Sequence, residues 1–257
     1  MNVLLLEPGE LRADGTARLD GRRALHVREV LRAAAGEVIL AGVVGGRLGE
    51  AEVLHASEAE LVLRPRLDRE PPPPSPVSLL LAVPRPKMLR RVLQAAAAMG
   101  VKRIALTGSY RVEKSYFGSP ALEPAAIREE LLLGLEQGRD TVLPEVTLDR
   151  FFKPFLEDRL DALFPEPARL LAHLAGSTPL EEVPPPGPRA VVAIGPEGGW
   201  TAYEAGRLVE KGFRPVTLGP RPLRVDAAVP FAVGQAELWL RGRAAAGVGG
   251  GARSSRA

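Results

Sequence analysis

The first notable absence from this sequence of 257 residues is cysteine, which does not occur at all. Without it, the chain has no disulfide, no thiolate nucleophile and no cysteine-ligated zinc or iron–sulfur site. Histidine is scarce too, because His26, His55 and His173 are the only three, and they lack the spacing of metal ligands. The sequence therefore predicts no metal site, and the lack of cysteine fits a reducing compartment.

Long apolar runs are missing as well. No stretch reaches the roughly 18 apolar residues that a membrane-spanning helix needs. The segment Met1–Glu10 has a short apolar run without a basic lead-in, so we expect no signal peptide. The apolar fraction of 46% is that of a globular protein with a sizeable core. We expect a cytoplasmic protein without a membrane partner.

Three familiar motifs are also absent. The sequence has neither G-x-x-x-x-G-K-[ST] nor G-x-G-x-x-G with an acidic residue after the next strand, which argues against a P-loop and a Rossmann dinucleotide site. It lacks G-x-S-x-G, so no local pattern supports a Ser-His-Asp hydrolase. A ligand of this chain would be held by another kind of loop.

Positive charge is concentrated in one internal segment. The formal net charge is +3, but the segment 241–257 carries four Arg and no acid, so the rest of the chain has a net charge of −1. Within it, Pro84–Tyr116 has eight Lys or Arg and one acid, a local charge of +7. A basic segment on an acidic body indicates contact with a polyanion. The alternative is a solvated helix face that is basic without a partner.

A run of prolines divides the sequence. Arg69–Pro76 contains four consecutive prolines, which favour an extended, semi-rigid linker at residues 71–76. Residues 1–70 alternate short β-like runs with glycine-rich turns and predict a small β-rich domain or barrel. In residues 77–240, strands alternate with helices, which predicts an α/β domain with a mostly parallel sheet. We expect residues 241–257, rich in Gly, Ala, Arg and Ser, to form a disordered tail.

Helix signals in the α/β part are clear at three places. Pro86 begins a helix that Gly100 follows. Its apolar stripe has the spacing i, i+3, i+4, i+7 and consists of Leu89, Val92, Leu93 and Ala96. Thr201 and Glu204 have the spacing of a capping box at the start of another helix. The last helix is predicted over Asp226–Leu240.

Two tight Gly/Pro loops are the strongest functional signal. Ile194–Trp200 follows the apolar run Ala190–Ile194, and Leu218–Arg224 follows the apolar run Phe213–Leu218. Loops at the carboxyl ends of parallel strands are where open α/β sheets bind ligands, and glycine lets the backbone approach them. The pair predicts a small-molecule pocket, although each loop alone is also typical of a plain turn.

Three charged residues lie in or beside these loops. Arg224 is able to hold an anionic group. Asp226 is able to accept a proton, but an Asp before a helix more often caps it. Glu197 is also consistent with a place at a helix N-terminus, where the dipole favours an acid. His173, near the end of a short predicted strand, is a further candidate for the pocket wall.

Further matches in order along the chain point to one family. His26–Arg32 with Gly36-Glu37 looks like the pattern H-x-x-x-V-L-R-x-x-x-G-[DE], and Glu136–Val146 looks like E-Q-x-x-R-x-x-x-P-x-[IV], with Arg139 one position early. Together with the two Gly/Pro loops, these segments make the sequence resemble the bacterial 16S rRNA (uracil-N3)-methyltransferases of the RsmE type, within the SPOUT methyltransferases. The resemblance covers most of the chain.

The resemblance implies both fold and function. It implies an α/β protein in which a PUA-like β-barrel for RNA precedes a SPOUT domain whose C-terminal chain is threaded into a trefoil knot. The implied cofactor is S-adenosyl-L-methionine, bound by the knot loops, and the implied enzyme is a homodimer. Its implied reaction is methylation of N3 of a uridine in 16S rRNA of the small ribosomal subunit.

Residue roles follow by carrying the family pattern onto this sequence. The implied cofactor-binding residues are His173, Ile194, Gly195, Pro196, Glu197, Gly198, Gly199, Leu218, Gly219, Leu223 and Arg224. The implied catalytic residues are Arg224, which would stabilise the uracil anion, and Asp226, which would take the N3 proton. The RNA-binding candidates are the basic residues Arg22, Arg23, Arg28, Arg32, Arg85, Lys87, Arg90, Arg111 and Lys114.

The sequence departs from the family at the second loop. The family usually has Leu-Arg-Thr-Glu-Thr-Ala where this chain has Leu223–Ala228, with Val225, Asp226 and Ala227 in place of Thr, Glu and Thr. Two alternatives therefore stay open. One is a relative that binds RNA and cofactor with altered catalysis, and the other is a SPOUT enzyme with a different RNA target.

Overall fold

The computed structural model describes residues 2–57, 60–166, 168–173 and 178–248, which form two β-sheets. The five strands of the first sheet are β1 (Leu4–Leu6), β2 (Ala17–Leu19), β3 (Val38–Val43), β4 (Leu48–Ala56) and β5 (Leu61–Arg69). Their order is β1-β3-β4-β5-β2, with β1 parallel to β3 and the other pairs antiparallel. The helix α1 (Gly21–His26) continues as a π-helical turn, Val27–Leu31, between β2 and β3. The β-rich character predicted for this part is confirmed.

The first strand belongs to two cores at once. Leu4 and Leu6 lie in the small core of the first sheet, whereas Val3 and Leu5 lie in the large core of the second part. This alternation is the period of two that an extended strand imposes on its side chains. β1 is therefore packed on both faces and joins the two parts of the chain.

The second sheet has seven strands, and every described pair in it is parallel. They are β6 (Val77–Ala82), β7 (Arg103–Thr107), β8 (Glu145–Asp149), β9 (Ala168–Ala172), β10 (Thr178–Pro179), β11 (Ala190–Ile194) and β12 (Arg214–Thr217). Their order is β10-β12-β9-β11-β6-β7-β8. β6 and β11 are buried along their whole length, as expected of a parallel sheet covered on both faces. The predicted parallel sheet is confirmed.

Six further helices accompany this sheet in the described residues. They are α2 (Pro86–Ala98), α3 (Pro124–Gly138), α4 (Phe152–Pro154), α5 (Leu160–Leu163), α6 (Ala202–Glu210) and α7 (Val225–Val248), with a π-helical turn, Phe155–Arg159, between α4 and α5. The predicted stripe of α2 is fully buried, and Gly100 ends the turn after it with φ +78°. On α3, a Cβ at Gly134 would lie 2.4 Å from the Gln94 carbonyl oxygen, so glycine lets α2 and α3 pack closely.

The last helix is longer than predicted. α7 begins at Val225 and continues beyond Leu240 to Val248, so the prediction of disorder from residue 241 is wrong for residues 241–248. The physical reason is helix propensity, because this stretch is rich in Ala and Arg, which are strong helix formers. The rest of the predicted tail, residues 249–257, lies outside the described residues. Pro230 stands inside the helix, which nevertheless runs through it.

Candidate active site

The candidate site lies where three neighbouring strands end. β12, β9 and β11 are adjacent and parallel, so their carboxyl ends meet at one edge of the sheet. The residues that follow them surround a cavity of about 340 Å³. The lining consists of Arg111, Ala172, His173, Ile194, Gly195, Pro196, Glu197, Gly198, Gly199, Trp200, Leu218, Gly219, Arg221, Pro222, Leu223, Val225 and Ala228.

Glycine shapes the loop after β11. The Gly199 N–H donates to the Pro196 carbonyl over 2.7 Å, and Gly199 has φ +70°, a conformation that favours glycine. A Cβ on Gly195 would lie 2.8 Å from the backbone nitrogen of Trp200, closer than side-chain carbons approach. Glycine is therefore required at both positions of this tight loop, which lines the cavity.

A capping box fixes the exit of this loop into α6. The Thr201 hydroxyl accepts from the Glu204 N–H over 3.2 Å, and Glu204 Oε2 accepts from the Thr201 N–H over 2.9 Å. The box predicted from the sequence is confirmed. Glu204 is 3% exposed, and its other oxygen accepts from the Tyr110 N–H over 2.8 Å. One buried carboxylate thus ties α6 to the loop after β7.

The loop after β12 is held by two polar side chains. Thr217 Oγ1 donates to the Gly219 carbonyl over 2.9 Å and accepts from its N–H over 3.1 Å. From α7, Gln235 Nε2 donates to the Leu218 carbonyl over 3.2 Å. Gly219 has φ +137°, again a conformation that favours glycine. The loop is therefore anchored at its start, where it meets the cavity.

The structure brings together nearly all the residues predicted to bind the cofactor. Every one of them except Arg224 is part of the cavity lining. Sequence reasoning missed Arg111, Ala172, Trp200, Arg221, Pro222, Val225 and Ala228 as lining residues. Trp200, Arg221, Pro222 and Val225 lie within the predicted loops or directly beside them, and Ala172 precedes the predicted His173, so their position in the chain was the available signal. Ala228 lies one helical turn beyond the second loop. Arg111 carried no such signal, because it lies far from both loops in the sequence.

Arg224 and Asp226 form a small ionic network with α2. Asp226 accepts from Arg91 over 3.1 Å and lies 3.4 Å from the Arg224 guanidinium. Arg224 also lies 3.6 Å from the Met88 sulfur, and its side chain is 70% exposed. Its carbonyl accepts the N–H groups of residues 227 and 228, so the backbone of Arg224 caps α7. The two predicted catalytic residues are therefore neighbours at the rim of the cavity.

The pKa of the Asp226 carboxyl is lowered from its ordinary value. Desolvation acts to raise it, but the hydrogen bond from Arg91 and the charges of Arg224 and Arg91 together outweigh that effect. Asp226 is therefore ionised at neutral pH. It is able to accept a proton, although a lowered pKa makes it a weaker base.

Two contacts connect the basic segment to the loop after β11. The Arg85 N–H, at the start of α2, donates to Glu197 Oε1 over 3.0 Å. Glu197 thus lies at a helix N-terminus, as its sequence position suggested, but the helix is α2. The Arg111 guanidinium donates to the Gly198 carbonyl. Arg111, which is remote in the sequence from both loops, is therefore part of the cavity wall.

The basic residues predicted to bind RNA differ in their availability. Arg22 forms a bidentate pair with the buried Glu136, at 3.0 and 2.8 Å, and these hydrogen bonds raise the pKa of Arg22. Arg23 pairs with Glu10, and Arg28 is half-buried. Besides Arg22, whose side chain is 51% exposed, the exposed members of the set are Arg32, Arg85, Lys87, Arg90, Arg111 and Lys114. Four of the predicted residues have carboxylate partners within the protein: Arg22 and Arg23 as above, Arg28 with Glu29 at 3.1 Å, and Arg90 with Glu130 at 3.6 Å.

The described part of the chain has neither a metal-binding cluster nor a membrane-spanning helix. It contains no group of three or more His, Asp or Glu side chains that could hold a metal ion. None of its helices is both long and apolar enough to cross a membrane.

Known proteins resemble this chain over most of its length. A family model described as an RNA methyltransferase domain matches residues 71–237. The ribosomal RNA small subunit methyltransferase E of Treponema pallidum is 32% identical over 250 residues, 94% of this chain and 94% of that protein. The protein of that name from Synechocystis sp. is 25% identical over 247 residues, 92% of this chain and 77% of that one.

A solved structure of a relative has the same fold as this chain. The ribosomal RNA small subunit methyltransferase E from Neisseria gonorrhoeae, bound to S-adenosyl methionine, superposes with a TM-score of 0.72 and 24% identity, over 93% of this chain and 98% of that one. This likeness confirms the predicted fold, a PUA-like β unit followed by an α/β SPOUT domain, whereas the threading of a knot stays a prediction. With both parts of the sequence matched, the chain belongs to the RsmE-type family of SPOUT RNA methyltransferases.

Proposed function

We propose that this protein transfers the methyl group of S-adenosyl-L-methionine to N3 of a uridine in the 16S rRNA of the small ribosomal subunit. The observation that carries the proposal is the glycine-lined cavity at three neighbouring strand ends. It occurs in a chain 32% identical to a ribosomal RNA small subunit methyltransferase E. The S-adenosyl methionine bound to the Neisseria relative supports the choice of cofactor.

The cavity suits a cofactor with both apolar and polar parts. Apolar walls come from residues such as Ile194 and Val225, and the bare backbone at Gly195 offers polar groups at close range. Trp200 also lines the cavity, and its buried Nε1 has no hydrogen-bond partner among the described residues. A buried donor of this kind needs an acceptor, which a bound cofactor would supply. We assign cofactor binding to the predicted residues that line the cavity, which do not include Arg224, and to Trp200.

The reaction requires a methyl donor, a group that accepts the N3 proton and a group that stabilises the resulting uracil anion. Bound S-adenosyl-L-methionine supplies a methyl group on a positively charged sulfonium. As the methyl carbon bonds to uracil N3, its bond to the sulfonium sulfur would break and leave a neutral thioether. The N3 proton must also leave, and we assign the ionised Asp226 as the group that accepts it. Arg224, exposed beside the lining residues Leu223 and Val225, is our group for stabilising the negative charge on the uracil oxygens.

Two observations favour a second candidate function. The lowered pKa of Asp226 makes it a weak base, and Val225 and Ala227 offer no hydroxyl to assist it. On this reading, the protein binds cofactor and RNA without methylating N3 of a uridine in 16S rRNA.

The partners are part of the same proposal. We propose that exposed basic residues around α2, including Lys87 and Arg90, bind the RNA backbone, so that binding weakens steeply with salt. We also propose a homodimer, which the exposed Phe231 and Leu238 of α7 support, since large apolar side chains on one helix favour a partner surface. The cytoplasm is our proposed location, because the RNA substrate is there.

The test is methyl transfer from labelled S-adenosyl-L-methionine to small ribosomal subunits that lack native modification, followed by mapping of the labelled base. We expect label on N3 of one uridine. Cofactor binding measured by calorimetry without any transfer would instead support the second candidate.

The roles of single residues need a matched pair of variants. Arg224→Ala should abolish transfer while cofactor affinity and folding persist. Arg214→Ala, which removes an exposed arginine on β12, is the control and should keep full activity. Normal turnover by Arg224→Ala would remove its assigned role.

A further inference from the structure

A second cavity, of about 650 Å³, gathers exposed aromatic rings from three separate segments. Tyr110, Phe151 and Tyr203 line this aromatic groove, and they are 89, 66 and 62% exposed. Within the described residues, Phe231 is the only other exposed aromatic side chain. Large rings normally avoid water, so three of four exposed rings in one groove indicate a binding surface.

Hydrogen bonds and a close backbone approach join the segments that form the groove. Buried Glu204 accepts the Tyr110 N–H, which ties the loop after β7 to α6. The Gly108 N–H donates to the Asp149 carbonyl over 2.9 Å, and a Cβ on Gly108 would lie 2.1 Å from the Arg150 carbonyl oxygen. The segments that carry the three rings are thus fixed against one another. A preformed groove loses little conformational entropy on binding.

The charge of the groove favours an anionic ligand. Arg150 and Lys153 line it and are exposed. The one acidic residue in its lining is Glu204, whose two oxygens already accept the N–H groups of Tyr110 and Thr201. The groove therefore offers ring faces and cations together.

The groove adjoins the cofactor cavity. The Phe152 ring lines the groove and the Trp200 ring lines the cavity, and their centroids are 5.5 Å apart. On the other side, Tyr110 lines the groove while the next residue, Arg111, lines the cavity. A ligand in the groove would lie beside the proposed methyl donor.

We propose that the aromatic groove binds unpaired nucleotides of the RNA substrate that flank the target base. Their bases stack on Tyr110, Phe151 and Tyr203, and their phosphates contact Arg150 and Lys153. Aromatic faces accept any base, and basic side chains hold the backbone, which is the chemistry of single-stranded RNA recognition. This inference rests on the proposed function and specifies where its substrate lies.

The test measures binding of a short single-stranded RNA that contains 2-aminopurine. Fluorescence anisotropy gives the affinity, and quenching of 2-aminopurine reports stacking. We expect Tyr203→Ala and Phe151→Ala each to weaken binding by about tenfold and to reduce the quenching, since one stacked base contributes about 1–3 kcal/mol. Tyr203→Phe keeps the ring and should keep the affinity. Val209→Ala, an exposed change at the far end of α6, is the control.

Several outcomes separate this proposal from the proposed function. With small subunits as substrate, the alanine variants should raise KM and leave cofactor affinity unchanged. If the variant that lacks all three rings keeps its RNA affinity, the proposal that the groove binds RNA is wrong. The same holds if that variant changes only the oligomeric state, because the groove would then bind protein. The wild type could also bind RNA in a way that requires the three rings and yet transfer no methyl group. That result would contradict the proposed function but would still support RNA binding in the groove.

Discussion

The Arg22 guanidinium and the Glu136 carboxylate form a bidentate ion pair between the first part of the chain and α3, at 3.0 and 2.8 Å. Beside it, the N–H groups of Asn2 and Val3 both donate to the Glu136 carbonyl. Glu136 is buried, whereas half of the Arg22 side chain is exposed. Both the backbone and the side chain of Glu136 thus hold β1 and α1 against the SPOUT domain.

We expect Arg22→Ala to destabilise the protein by about 2 kcal/mol, because it leaves a buried carboxylate without its charged partner. Urea unfolding at fixed protein concentration measures the change. Arg12→Ala, which removes an exposed arginine, should change stability little. Equal stability of the two variants would show that the ion pair contributes nothing net.

Asp226 gives stability a specific pH dependence. Its pKa is lower in the folded protein than its ordinary value of 3.8, so its ionised form favours folding. The stability difference between wild type and Asp226→Asn should be full at neutral pH and disappear as the pH falls through the lowered pKa. Urea unfolding at pH 7 and in acid measures it, with the exposed Asp68→Asn as the control. A difference that grows in acid would contradict the structure.

Gly195→Ala should damage cofactor binding. The added methyl group would lie 2.8 Å from the backbone nitrogen of Trp200 and 3.0 Å from Gly199, so the loop after β11 must move. We expect affinity for S-adenosyl-L-methionine to fall by at least about tenfold, or 1.4 kcal/mol. Quenching of Trp200 fluorescence or calorimetry measures it. A fully retained affinity would show that the loop adapts.

Gly206→Ala should stabilise the protein. Gly206 lies inside α6, and nothing lies within 4 Å of the position where a Cβ would be. Alanine favours a helix interior over glycine by about 0.5–1 kcal/mol, so the melting temperature should rise. Gly212→Ala is the comparison variant. Gly212 lies just after the helix at φ +84°, where alanine is strained, so this change should lower the melting temperature. The paired result separates helix propensity from backbone strain.

Local signals in the sequence predicted much of the fold. In α2, the proline start and the spacing of Leu89, Val92, Leu93 and Ala96 identified both the helix and its buried face, because helix geometry repeats over a few residues. The two Gly/Pro loops marked the cavity for a similar reason, since tight turns require particular residues.

Long-range features were beyond such signals. β9 lies between β12 and β11, an order that no local pattern specifies. Arg111 reaches the loop after β11 from 87 residues away in the chain. The end of α7 was mispredicted because composition alone does not separate a polar helix from a disordered tail. The aromatic groove was missed because its rings come from three distant segments.

The cavity also has a consequence for the timing of folding. Its walls come from Arg111, the strand end at Ala172, the loop after β11 and the segment up to Ala228. During synthesis, a nascent chain that already holds the complete first sheet still lacks the wall contributed by the start of α7. The cavity is therefore complete only after residue 228 has been synthesised. A chain interrupted before residue 218 would lack the loop after β12 and the start of α7, both of which line the cavity.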